Sequence, residues 1–103
     1  MTATLRTVIA DLKARHADSI KVMQAALFEK NIISIAGECF GIQSVITDIR
    51  FSQRYSLTDE DRQELALLED ELRAEQRVAQ EEAFGRVLKA HEHLNQGAAN
   101  DAA

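Results

Sequence analysis

The chain has 103 residues, 28% of them charged, with a net charge of −5, no proline, no tryptophan and a single cysteine. That length supports one domain around one core. Cys39 alone excludes an internal disulfide, and the absence of any Lys/Arg cluster speaks against the basic face that a free-standing nucleic-acid binder needs.

Charge is divided unevenly along the chain, +2 over residues 1–56 and −7 over residues 57–103. Residues 1–20 are interrupted by Arg6, Asp11, Lys13, Arg15, His16 and Asp18, so they lack the apolar run of a signal peptide. The longest apolar stretch is broken by Glu38, Asp48 and Arg50, which argues against a membrane span. A soluble, cytoplasmic protein is expected. Richness in Ala, Leu, Glu, Gln and Arg favours helix over sheet. The expected fold is all-α: an elongated helical hairpin or three-helix bundle with coiled-coil-like packing, oligomeric, with one domain over 1–96 and a disordered tail over 97–103.

The first helical stretch runs from about Thr4 to Lys30, with Leu5, Ile9, Leu12, His16, Ile20, Met23 and Leu27 on one face at spacings of three and four. The second, from about Ile32 to Phe51, carries Ile35, Cys39, Ile42, Ile46 and Ile49 in a heptad-like seam. Were the helix continuous, the two faces would be rotated by roughly 110°. Either the chain turns at Lys30 and Asn31, the favoured expectation, or a single long helix changes partner there. After the link Phe51-Ser-Gln-Arg-Tyr-Ser-Leu, the run Thr58-Asp-Glu-Asp offers a capping hydroxyl and three acids for a helix N-terminus. The inward line of the third stretch is Leu65, Leu68, Leu72, Gln76, Ala79, Ala83, Val87, Ala90 and Leu94, which crosses Gly85.

Inside the second stretch lies Gly37-Glu-Cys-Phe-Gly41, and each glycine in a helix costs about 1 kcal/mol relative to alanine. On the helical wheel Ser34, Gly37, Gly41, Ser44 and Asp48 form a stripe opposite the isoleucine seam, flanked by Ile33, Phe40 and Phe51. Small residues let a second helix approach closely. That second helix belongs either to this chain, or to a second protomer or a foreign protein. The expectation is an assembly interface of Ile33, Gly37, Phe40, Gly41 and Ser44, with Ile35, Ile42, Ile46 and Ile49 holding the opposite side.

Residues suited to chemistry are sparse. His91 and His93 point about 200° apart on a helix and cannot chelate one ion together, and no H-E-x-x-H pattern or second cysteine is present. Neither a metal nor a cofactor is expected. His16 reads as a core or interface histidine, Cys39 as a buried inert thiol, and Glu69-Asp70-Glu71 and Glu81-Glu82 as solvated carboxylates, so no enzyme is expected. Ten acidic residues between Asp59 and Glu82 read chiefly as a solvated face laced by pairs such as Glu69 with Arg73.

These features point to a non-enzymatic helical interaction and self-assembly module of scaffold or adaptor type, a homodimer or higher, with a further protein partner that the sequence does not identify. The alternative is a small acidic inhibitor of mobile-element or bacteriophage type, docking Asp61, Glu64, Glu71 and Glu75 on a basic, nucleic-acid-binding protein.

Overall fold

The computed structural model describes residues 1–102, excluding the side chains of His93 and of residues 95–102. Three helices, α1 (Ala3–Gln24), α2 (Glu29–Phe51) and α3 (Asp59–Ala102), make up an all-α architecture in which every helix packs on the other two. The segment expected to be a disordered tail ends beyond the described residues, and none of its side chains is described.

Two helix starts follow the local sequence. Thr2 Oγ1 accepts from the Leu5 amide at 3.1 Å and opens α1. At α3, Thr58 Oγ1 accepts from the Asp61 amide while Asp61 Oδ2 accepts from the Thr58 amide, each at 3.0 Å, a reciprocal capping box. The Thr58 amide, and after it the Met1 amino group 3.0 Å away, hold the Asp61 carboxyl below its ordinary range.

The break between α1 and α2 falls at Ala25–Phe28, not at Lys30 and Asn31. Phe28 is extended (φ −134°) and takes the N-cap position, so Asn31 lies inside the first turn of α2 and donates its amide to Phe28 O at 3.1 Å. The determinant is tertiary. Ala26 is buried, and Arg86 Nη2 of α3 reaches its carbonyl at 2.8 Å, satisfying a group that the chain reversal leaves unpaired. At the other link, Arg62 does the same for the carbonyls of Arg50 and Leu57, at 3.3 and 3.2 Å.

The helices run up, down and up. Leu5 near the start of α1 meets Ile46 and Ile49 near the end of α2 and Leu65 and Leu72 of α3. At the opposite end Ile20, Met23 and Ala26 meet Ile32, Ile35 and Cys39 of α2 and Ala79, Ala83 and Val87 of α3. The 44-residue α3, about 66 Å long at 1.5 Å per residue, accounts for the 68 Å long axis of the molecule. Its last turns extend past the α1–α2 link. Ala90 and Leu94, expected inward, are consequently exposed, since neither shorter helix reaches their level. Leu27, expected on the inner face of α1, lies in the link and is exposed for the same want of a partner. Gly85 does not interrupt α3.

Candidate interaction face

The inner side of α2 is not purely apolar. Its fully or nearly buried residues are Ile32, Ile35, Cys39, Gln43, Ile46 and Ile49, with Ile42 half-buried beside them. Gln43 replaces an apolar residue in the middle of the seam, and Gln76 and His16 stand at the same level on the other two helices. Gln43 Nε2 donates to His16 Nε2 at 3.1 Å and to Gln76 Oε1 at 2.6 Å. Gln76 Nε2 in turn donates to Gln80 Oε1 at 3.3 Å and to the Ala36 carbonyl at 3.5 Å. This polar layer separates the two apolar clusters. Sliding α2 along its neighbours would separate Gln43 from His16 and Gln76 and leave buried polar groups unpaired, so the layer disfavours other registers.

A second polar contact lies one turn further along. Glu69, expected as a solvated partner of Arg73, is in fact 1% exposed. Its carboxylate accepts from Thr47 Oγ1 and lies 2.6 Å from Arg50 Nε, out of line for a hydrogen bond, so that this contact is an ion pair. Arg73 Nη2 approaches from the surface at 3.7 Å.

His16 is wholly buried and its pKa is lowered, chiefly by desolvation and only partly offset by the charge of Glu75. The ring is therefore neutral at pH 7. Since Nε2 accepts from Gln43, Nδ1 carries the proton; it has no hydrogen-bond partner, and Glu75 Oε2 lies 4.0 Å away. Protonation would put a second donor opposite the Gln43 amide. A folded pKa below the unfolded value means that the unfolded chain binds the extra proton first. Stability should thus be full above the unfolded histidine value of 6.5 and fall as pH drops below it. Urea midpoints measured across pH 7.5 to 5 should decline, and His16→Gln should flatten that decline. An unchanged slope in the variant would show that another group is responsible. The carboxyl of Asp61 acts in a separate window, below its ordinary value of 3.8.

Cys39 is buried and its thiol is pushed up, first by desolvation and then by Glu38 and Glu75, so no thiolate forms at neutral pH. Among the described residues no three His, Cys, Asp or Glu side chains converge as metal ligands.

The outer side of α2 contrasts with the inner one. Gly37 and Gly41 are exposed, and a Cβ placed on either would meet nothing within 4 Å. Among the described residues, no helix of this chain fills the stripe. Beside it Ile33, Phe40 and Phe51 are 63%, 65% and 68% exposed, and Ser44 is half-buried. Phe40 borders a shallow recess against α3, edged by Gln43, Gln76, Arg77 and Phe84. Val45 lies exposed on the opposite flank.

The four acidic residues considered for docking do not form one free surface. Asp61 is buried in the α3 cap, Glu64 pairs with Arg6 at 3.3 Å, and Glu75 faces His16. Glu71 is exposed at the edge of a cleft between α1 and α3 that Arg6 and Lys13 also line.

Comparison with protein-family models, curated proteins and solved structures finds no match. The outer face of α2 must therefore be interpreted from its own chemistry. By length and composition α2 could cross a membrane, with a mean hydropathy of 1.4 over its most apolar window, but a third of that window is buried in the bundle. The hydropathy has two sources, an inner seam that makes the core and an outer face that the chain leaves uncovered.

Proposed function

We propose that this chain is a non-enzymatic, cytoplasmic helical module for self-assembly and protein interaction, a homodimer or higher, working through the outer face of α2. Ile33, Gly37, Phe40, Gly41 and Ser44 are its contact residues, with coiled-coil-like packing of α2 against the incoming helix. One observation carries this reading. The two glycines have open space around them while three large apolar side chains beside them are mostly exposed, in a helix whose other side is already occupied by the core.

Helical glycine without a packing reason is a net cost, and a second helix supplies the reason. Lys30 and Asp48 lie along the same outer face, an arrangement that suits a protein partner better than lipid hydrocarbon. The acidic-inhibitor reading has less to support it, since Asp61 is held in the α3 cap and Glu64 pairs with Arg6, which leaves Glu71 and Glu75, both exposed, of the four.

Salt separates the two. Association resting on buried apolar area should persist in about 1 M NaCl, where screening acts beyond roughly 3 Å, whereas acidic docking should collapse. Sedimentation velocity at low and high salt is the measurement. Loss of the associated species at high salt would refute the apolar interface.

A further inference from the structure

Resting on the reading of α2 as an assembly surface, we propose that its occupant is a second copy of this chain, docked antiparallel about a two-fold axis level with Cys39. The argument starts from charge. Lys30 and Asp48 are both exposed, and among the described residues neither has an ion-pair partner in its own chain. They are 18 residues apart, which at about 100° per residue is five full turns. One line along the outer face of α2 thus begins in a cation and ends in an anion.

A parallel copy would set Lys30 against Lys30 and Asp48 against Asp48. An antiparallel copy centred at residue 39 sets each Lys30 against Asp48 of the copy, twice by symmetry.

The same register orders the rest of the face. Gly37 comes level with Gly41 of the copy and Ser34 with Ser44, so the smallest residues cluster around the axis where the helices cross. The large side chains supply a second, independent discrimination. Ile33, Phe40 and Phe51 all lie on one flank of the Lys30–Asp48 line, about 60° to 80° from it. Antiparallel two-fold symmetry joins like flanks. Down that flank the order becomes Phe51, Ile33 of the copy, the two Phe40 rings at the axis, Ile33, then Phe51 of the copy, a continuous apolar row drawn from both chains. Parallel symmetry joins unlike flanks and would bring Phe40 beside Glu38 of the copy. The antiparallel arrangement keeps Glu38 off that row, although it sets the two Glu38 carboxylates near each other on the opposite rim, where exposure to solvent screens their repulsion.

A charge-swap cycle, with crosslinking, tests the orientation. Lys30→Asp and Asp48→Lys each suit the helix dipole at their end of α2, so neither threatens the monomer fold. Each single variant should weaken self-association by about tenfold, and the double variant should restore it. In parallel, Ser34→Cys and Ser44→Cys variants are mixed and treated with a short thiol-to-thiol crosslinker, the native Cys39 being buried.

Mixed 34-to-44 crosslinks together with charge rescue are the expected result. Crosslinks of 34 to 34 within a dimer, without rescue by the double variant, would overturn the antiparallel register while leaving α2 as the assembly face. A wild type that stays monomeric as its concentration rises would overturn both.

Discussion

Glu69→Ala should lower the free energy of unfolding by about 3 kcal/mol, as read from urea denaturation. Glu69 sits on the core side of α3, 1% exposed, where it neutralises Arg50 and accepts from Thr47 Oγ1. Removing its carboxylate leaves a guanidinium and a hydroxyl partly desolvated with no anion between them. The Arg50 side chain is 24% exposed and can turn partly toward water, which places the cost at the lower end for a broken buried pair. The double variant Arg50→Met with Glu69→Met should lie within about 1 kcal/mol of wild type, because it removes the desolvation cost along with the attraction. Equal losses in the single and double variants would mean that the site contributes by packing alone.

Gly41→Leu should separate two properties that usually change together. With nothing within 4 Å of the position of its Cβ, leucine fits without clash, and replacing glycine by a good helix former should raise the stability of the monomer by about 0.5 to 1 kcal/mol. The same side chain should obstruct the second helix at the closest point of approach, twice in a symmetric pair. Self-association should weaken by about a hundredfold. Unfolding curves at low protein concentration report the first quantity. A destabilised monomer would mean that a helix of the chain itself occupies the stripe.

The helical class was legible because its signals are local. Apolar residues at three- and four-residue spacing mark all three helices, and the Thr58 hydroxyl forms the anticipated cap of α3. The buried polar residues were partly hidden by a restriction to apolar side chains. Followed without regard to polarity, the same spacing runs from Cys39 through Gln43 to Ile46, and from Leu65 through Glu69 to Leu72. It would have placed both residues inside. The α1–α2 turn carried no glycine or proline, and its position depends on Arg86, 60 residues away from Ala26, which no local pattern encodes.

The stripe on α2 was legible as a pattern but not as a surface, because spacing does not tell which helix fills a groove. Open space at Gly37 and Gly41 removes the chain's own helices, among the described residues, as candidates. The acidic run shows the opposite limit. Composition alone made Asp61 and Glu69 look solvated, whereas the fold uses one as a cap and the other as a buried counter-ion.

The measurement closest to the central claim is molar mass in solution by light scattering, over about a hundredfold range of concentration, for the wild type and Gly41→Leu. The account predicts a wild type of at least twice the 11.5 kDa chain mass at the upper concentrations and a variant that stays at the chain mass throughout. A wild type at the chain mass across the whole range, or a variant that assembles as well as the wild type, would contradict it.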